Sequence, residues 1–206
     1  KLASYDLPIH LENDANCVGL SELLAHPELE NAACVVIGTG IGGAMIVNGR
    51  LHRGKHHLGG EFGYMTTLAP AEKLNNWSQL ASTGNMVRYL AEKSGQTDWN
   101  GRKIYQEAEA GNTLCQEAIE RMNRNLAQGL LNIQYLFDPD VISLGGSISQ
   151  NKKFIEGVRS AISYYVDRYE EYSVTPEIVA CTYQGEANLY GALVNWLQEE
   201  GQWPHS

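Results

Sequence analysis

The chain has 206 residues, of which 24 are acidic and 15 are basic, so its formal net charge is −9. This charge argues against a nucleic-acid-binding surface, which needs a basic face, but it allows a local phosphate site built from backbone amides. The sequence has no apolar run near the ~20 residues of a membrane span and no basic-then-apolar start typical of a signal peptide. We therefore expect a cytoplasmic protein that binds neither membranes nor nucleic acid.

Four cysteines lie far apart in the sequence and form no CxxC pair: Cys17, Cys34, Cys115 and Cys181. A chain of this size and acidity does not need a disulfide framework, and the spacing does not fit a zinc site. We interpret the cysteines as small buried hydrophobic residues in a reducing compartment.

The first quarter of the chain combines a helix with a strand–glycine–strand segment. Apolar residues at helical spacing follow Asp14 and predict a helix that ends before Pro27. A β-branched run at 33–37 and a second run at 44–47 predict two strands, and Asn48-Gly49 predicts a hairpin turn after them. Because the glycines between these strands do not open a helix, the segment does not fit a dinucleotide-binding βαβ unit.

The remainder alternates helices and strands. From about Trp77 the apolar spacing is helical, and its longest stripe runs from Leu114 to Phe137, before Asp138-Pro139 ends it. The later predicted elements are a strand at 141–144, a helix around 154–169, a strand around 177–181 and a helix around 187–199. Strands that alternate with helices predict an α/β layered fold.

Two neighbouring stretches could carry chemistry. The glycine cluster at 38–43 would let backbone amides approach an anion, although it equally fits a tight hairpin with a bulge. The stretch 12–16, Glu-Asn-Asp-Ala-Asn, offers several side chains to a polyol just before a helix. There the helix dipole would keep Asp14 ionised, and an ionised Asp can accept the proton of an attacking hydroxyl. The alternative is that Asn13 or Asp14 is only an N-cap.

Two further stretches are ambiguous by themselves. Glu61 stands between glycines and could bind two neighbouring sugar hydroxyls, or it could be a solvated loop residue. Gly145-Gly146 follows a predicted strand and would let a flat ring lie on the chain, or it could be a plain turn.

Taken in order, these stretches resemble the repressor–ORF–kinase (ROK) family of sugar kinases, and more narrowly its streptococcal members. The matching segments are 12–16, 38–43, 48–54, 60–63, 126–147 and 188–192. The resemblance covers nearly the whole chain. It implies an actin-like, ribonuclease-H-like two-lobed enzyme that phosphorylates a hexose or related sugar with Mg-ATP, in the manner of a glucokinase or fructokinase. It also implies a homodimer.

The resemblance assigns roles position by position. Asp14 is implied as the general base, Asn13, Glu61 and Tyr64 as sugar-binding residues, Thr39, Gly40 and Gly42 as phosphate neighbours, and Gly145 and Gly146 as neighbours of the adenosine. It also divides the chain. Residues 1–30 correspond to a catalytic and sugar-binding segment from the region between the lobes, and residues 31–206 to the C-terminal ATPase lobe.

The sequence departs from the family pattern at three places. The family often has a His, followed by a cysteine-rich zinc loop, where this chain has Tyr64, and there is no cysteine between Tyr64 and Leu80. We therefore expect no structural zinc. A glutamate that commonly binds the sugar aligns with Ser78, so the identity of the sugar is open. The family's Asp-x-Gly-Gly-Thr phosphate loop does not occur in these 206 residues, and we expect this chain alone to be inactive.

Two other classes of function remain open. The same fold occurs in the sugar-sensing domain of ROK transcriptional repressors, whose complete chains also bind DNA, and a non-catalytic carbohydrate-binding protein is a third possibility. Asp14 and the glycine cluster favour the kinase, because a sensor needs neither a base nor a phosphate-binding loop.

Overall fold

The structure is a computed structural model that describes residues 8–67 and 75–203. A five-stranded sheet with the order β3-β2-β1-β6-β7 forms its centre. Its strands are β1 (Ala32–Ile37), β2 (Ile41–Val47), β3 (Arg50–Leu51), β6 (Val141–Gly145) and β7 (Ile178–Ala180). β1, β2 and β3 pair antiparallel, whereas β6 pairs parallel with both β1 and β7. The short pair β4 (Thr66–Thr67) and β5 (Asn75–Asn76) forms a separate two-stranded sheet.

Helices cover both faces of the main sheet. They are α1 (Asp14–Ala25), α2 (Trp77–Ala81), α3 (Thr83–Ser94), α4 (Gly101–Glu109), α5 (Thr113–Phe137), α6 (Lys152–Val166) and α7 (Ala187–Glu199). α1 packs along α7 and against β2 on one face, and α5 packs against α6 on the other. The α/β layered fold predicted from the sequence is confirmed.

The alternation of side chains along β1 explains the two layers. Ala33, Val35 and Ile37 join the core beneath α5 and α6, whereas Ala32 and Cys34 join the core beneath α1 and α7. A strand that is buried on both faces reads as a continuous apolar run. The run at 33–37 therefore predicted a buried strand correctly.

Two boundaries differ from the sequence prediction. β2 begins at Ile41 rather than at residue 44, because Gly42 and Gly43 pair with Val36 and Val35 of β1. A Cβ at Gly43 would lie 2.7 Å from the carbonyl oxygens of both Cys34 and Gly60, so only glycine fits this crowded strand position. At the other end of the chain, α6 ends at Val166 rather than at 169.

The cysteines are buried and free, as the sequence predicted. The Sγ atoms of Cys34 and Cys181 lie 3.5 Å apart in the core between the sheet and α1. Within residues 8–67 and 75–203, every helix is too short or too polar to cross a membrane.

Candidate active site

A cleft of about 440 Å³ lies where the start of α1, the β1–β2 loop and the turn at Phe62–Tyr64 meet. Six of the residues predicted from the sequence line it: Asp14, Thr39, Gly40, Gly42, Glu61 and Tyr64. These residues come from three separate stretches of the chain, and only the tertiary fold brings them together.

Asn13 and Asp14 have different roles at the start of α1. The Oδ1 atom of Asn13 accepts hydrogen bonds from the amides of Ala15 and Asn16, at 2.8 and 3.2 Å, and so caps the helix. Asp14 is exposed in the first helical turn and lines the cleft, with its Oδ1 2.9 Å from the amide nitrogen of Ala15. The capping interpretation therefore holds for Asn13, while the Asp14 carboxylate faces the cleft at the positive end of the helix.

Glu12 belongs to the same stretch but does not line the cleft. Its carboxylate accepts hydrogen bonds from the Asn13 amide and the Asn16 side chain, both at 2.8 Å, and from Arg53 at 2.6 Å. Burial raises the pKa of Glu12, but these hydrogen bonds together with the positive charge of Arg53 outweigh it and lower the pKa below its usual value. Glu12 therefore has an internal structural role.

The glycine loop between β1 and β2 is a tight turn beside α1. The amide of Gly38 donates to the carbonyl of Gly40 at 2.9 Å, and Thr39 is exposed at the tip. A Cβ at Gly42 would lie 3.1 Å from the Cβ of Ala15, so glycine allows the start of α1 to sit close to the strand. The loop is therefore a tight hairpin turn, and it also borders the cleft, so the two interpretations of the glycine cluster do not exclude each other.

Glu61 is held by glycines that pack on β2. Gly60 has a φ of 85°, and a Cβ there would lie 2.7 Å from the Cα of Ala44. A Cβ at Gly63 would collide with the carbonyl oxygen of Ile41. The Glu61 side chain, which is partly exposed in the cleft, makes no hydrogen bond or ion pair with another described residue, so both carboxylate oxygens are available to a ligand.

Tyr64 and Ser78 complete the outer wall. Tyr64 is 72% exposed, and Ser78 accepts a hydrogen bond from the amide of Ile41 at 2.9 Å. Asn76, at the N-cap of α2, also lines the cleft, and the sequence analysis missed it. Its signal was the capping-box pattern of Asn76 and Gln79, which identifies a helix start but not a ligand site.

Gly145 and Gly146 lie outside this cleft, at the end of β6. Gly146 has a φ of 89°, and a Cβ there would collide with the carbonyl oxygen of Ile37. Four of the residues that follow border a second cavity of about 620 Å³, together with the start of α3 and one side of α4; they are Ser147, Ile148, Gln150 and Asn151. The sequence analysis placed the two glycines beside an adenosine but did not identify the opposite wall.

The second cavity contains two hydroxyls without a partner. Thr83 Oγ1 and the Tyr105 hydroxyl are buried and form no hydrogen bond with any described residue. Burial raises the pKa of Tyr105, so its hydroxyl stays protonated at neutral pH. A buried hydroxyl without a partner is energetically costly, and a ligand group can offset that cost.

Among residues 8–67 and 75–203, no group of three or more His, Cys, Asp or Glu side chains is arranged to hold a metal ion. The stretch in which the family often has its zinc loop includes residues 68–74, which lie outside the described residues. The absence of structural zinc stays a prediction.

Comparison with known proteins gives a consistent result. Residues 2–199 match the ROK family. The chain is 33% identical to the Beta-glucoside kinase of Listeria monocytogenes, over 97% of this chain and 68% of that protein. A crystal structure of a ROK family protein from Streptococcus pneumoniae in complex with sucrose is 84% identical, with a TM-score of 0.95 over 98% of this chain and 70% of that chain.

A glucokinase from Streptomyces griseus, solved with glucose and AMPPNP, is 25% identical, with a TM-score of 0.80 over 92% of this chain and 68% of that chain. A ROK family transcriptional regulator has a TM-score of 0.75 at 19% identity over 97% of this chain and 55% of that chain, which shows a common fold alone. The chain thus spans about two thirds of the length of the kinases it matches. The predicted resemblance and the actin-like ATPase fold are both confirmed, and the chain belongs to the ROK family.

Proposed function

We propose that the full-length protein transfers the γ-phosphoryl group of ATP to a sugar hydroxyl, with Asp14 as the general base. The observation that carries this proposal is the meeting of Asp14, Glu61 and the glycine loop in one cleft. A base, a polyol-binding carboxylate and a loop of accessible amides are the groups that such a transfer needs.

The cleft supports a simple division of roles. A sugar hydroxyl that binds beside Asp14 would donate its proton to the carboxylate as its oxygen attacks the γ-phosphorus. The bond between that phosphorus and the β–γ bridging oxygen would break, and ADP would leave. Glu61 would accept hydrogen bonds from two neighbouring sugar hydroxyls, because both its oxygens are available. Asn13 uses its carbonyl oxygen to cap α1, and its amide nitrogen, which bonds to no described residue, would donate to the sugar.

The nucleotide would span both cavities. The loop residues Thr39, Gly40 and Gly42 would lie beside the phosphates, and the second cavity would receive the adenosine beside Gly145 and Gly146. Thr83 and Tyr105, whose buried hydroxyls bond to no described residue, border the cavity that would hold the base and the ribose. The AMPPNP complex of the related glucokinase supports the use of ATP. Magnesium would enter with the phosphates.

The acceptor we favour is a glycosylated hexose. The matching Beta-glucoside kinase and the sucrose complex of the 84% identical protein support a two-ring ligand, whereas the glucokinase supports free glucose. Tyr64 stands exposed at the cleft and offers a flat aromatic face to a second sugar ring. The first ring would then lie between Asp14 and Glu61.

A sugar-sensing domain of a ROK repressor is the second candidate, supported by the shared fold of the regulator. Asp14 in the cleft favours the kinase, because a sensor needs no base. A homodimer and a cytoplasmic location, where ATP is available, are parts of the kinase proposal.

The test is Asp14→Asn in the full-length protein, assayed with Mg-ATP and a panel of hexoses and glucosides. The expected result is a loss of kcat of about 10²–10⁴-fold, because asparagine cannot accept the proton. Asp167→Asn, an exposed substitution at the end of α6, is the matched control. A folded Asp14→Asn protein with near-normal turnover would reject Asp14 as the base.

A further inference from the structure

Arg53 connects three segments around the cleft although it does not line it. Its Nε donates to Glu12 Oε2 at 2.6 Å, and one of its terminal nitrogens donates to Asn195 Oδ1 at 3.0 Å. The same side chain lies 3.8 Å from the carboxylate of Glu199. Arg53 thus joins the loop after β3 to the segment before α1 and to α7.

The contact between Arg53 and Glu12 is linked by further hydrogen bonds to the start of α1, where Asp14 lies. While Oε2 of Glu12 binds Arg53, Oε1 accepts hydrogen bonds from the Asn13 amide and the Asn16 side chain, both at 2.8 Å. Asn13 in turn caps α1, whose first residue is Asp14. The position of the Asp14 backbone is therefore coupled to Arg53 through a continuous series of hydrogen bonds.

The backbone of Arg53 is hydrogen-bonded to the loop that carries Glu61. Its carbonyl accepts a hydrogen bond from the amide of Gly59 at 2.9 Å, which closes the loop that ends at Glu61. A Cβ at Gly59 would collide with the carbonyl oxygen of His52, so this closure requires glycine. One residue therefore holds the chain on the Asp14 side of the cleft and on the Glu61 side.

The arginine contacts are partly shielded from solvent, since the Arg53 side chain is 31% exposed while two of its partners are more deeply buried. The Glu12 side chain is 9% exposed, and Asn195 is 3% exposed. Charge-assisted hydrogen bonds are short and directional, and the planar guanidinium donates to its two partners in a fixed geometry that a lysine ammonium does not reproduce. Removing Arg53 would leave the shielded Glu12 carboxylate without its counter-charge.

We propose that Arg53 is a positioning residue that sets the separation of Asp14 and Glu61 across the sugar cleft. This inference rests on the kinase function proposed above. In that proposed function, Arg53 keeps the base Asp14 and the sugar-binding carboxylate of Glu61 at a fixed separation. A sugar bound by Glu61 then places one of its hydroxyls beside the Asp14 carboxylate.

The experiment compares Arg53→Gln and Arg53→Lys with Arg50→Gln in the full-length protein. Arg50 is exposed on β3, so its substitution changes the charge equally without touching the network. A displacement of about 1 Å at a catalytic group can cost roughly 10²-fold. We therefore expect Arg53→Gln to lower kcat by about 10- to 100-fold and to raise KM for the sugar, while KM for ATP changes by less than about twofold. Arg53→Lys should recover part of kcat.

A merely structural role would give another result. If Arg53→Gln lowers the melting temperature but leaves kcat and both KM values like those of Arg50→Gln, the proposal is overturned. Should Arg53→Gln not fold, Glu12→Gln provides the same test from the other partner, and unchanged kinetics there would equally overturn it. Asp14→Asn, assayed in parallel, separates the two hypotheses. Absence of sugar phosphorylation by the unsubstituted full-length protein rejects the proposed function, and an active Asp14→Asn rejects Asp14 as the base. An inactive Asp14→Asn beside a normal Arg53→Gln rejects only the positioning role.

Discussion

The amide nitrogen of Gly84 lies 3.2 Å from the carbonyl oxygen of Gly38, so the start of α3 is bonded to the glycine loop of the cleft. Thr83, the preceding residue, borders the second cavity. The two cavities are thus connected through one backbone contact, at the place where the phosphates of a bound nucleotide would pass. Gly84 allows this contact because a Cβ there would collide with the carbonyl oxygen of Thr39.

Gly84→Ala should therefore weaken nucleotide binding. Forcing a methyl group into a packed contact costs about 1–3 kcal/mol, and we expect the Kd for AMPPNP to rise by about tenfold. Gly185→Ala, where a Cβ meets nothing within 4 Å, is the control. Equal affinity of the two variants in isothermal titration calorimetry would contradict the proposed path of the nucleotide.

Glu61→Ala should reduce sugar affinity. Hydrogen bonds to a charged group contribute about 1.5–3 kcal/mol, which corresponds to a Kd about 10- to 100-fold higher. The exposed Glu156→Ala on α6 is the control for lost charge. Sugar titration of both variants measures the effect, and an unchanged Kd for Glu61→Ala would place this carboxylate outside the sugar site.

The contribution of Glu22 to the free energy of unfolding should decrease as the pH rises and its carboxyl group loses its proton. Burial raises the pKa of Glu22 above its ordinary 4.5, and this effect exceeds the opposing hydrogen bonds from Thr182 and the charge of His26. Between pH 4.5 and the raised pKa the folded state binds more protons than the unfolded state, so the free energy of unfolding contributed by this group falls through that interval.

Glu22→Gln should remove this slope. Urea unfolding at a series of pH values from 4.5 upward measures the difference between the variant and the parent. A control is Glu156→Gln, an exposed substitution on α6. Parallel stability curves for Glu22→Gln and the parent would contradict the raised pKa.

Zinc should not copurify in stoichiometric amount. Structural zinc needs about four Cys or His ligands. The sequence between Tyr64 and Leu80 contains neither a cysteine nor a histidine. Elemental analysis of chelator-washed protein measures the metal content. One equivalent of zinc per chain would show that ligands come from elsewhere.

The 206-residue chain by itself should not phosphorylate sugars at a useful rate. Phosphoryl transfer depends on groups that surround the phosphates and the metal ion, and the family's Asp-x-Gly-Gly-Thr phosphate loop does not occur in these 206 residues. Incubation with Mg-ATP and glucosides, beside the full-length protein, measures the difference. Comparable turnover of the two proteins would show that these 206 residues complete the site.

The layered fold could be predicted from residue patterns, because the order of helices and strands is encoded locally along the chain. The apolar run at 33–37, the helical stripe up to Phe137 and Asp138-Pro139 after it identified their elements correctly. Glycines were informative for the same reason. At Gly60 and Gly146 the backbone has a positive φ and a Cβ would collide with neighbouring backbone atoms. The need for glycine at such positions can be inferred from the sequence, because other residues are rarely tolerated there.

Which polar side chains face the cleft could not be predicted from the sequence, because it depends on contacts between distant segments. Glu12, Asn13 and Asp14 are equivalent as a sequence pattern, yet Glu12 binds Arg53, Asn13 caps α1 and Asp14 lines the cleft. The partners of Glu12 include a residue far along the chain, so no local pattern could reveal that its carboxylate is occupied. The second cavity was missed for the same reason, because the residues on its two sides come from separate segments that only the packed helices bring together. Local sequence preferences determine where helices and strands form. Whether a polar group is free to bind a ligand depends on whether a distant residue already forms a hydrogen bond with it.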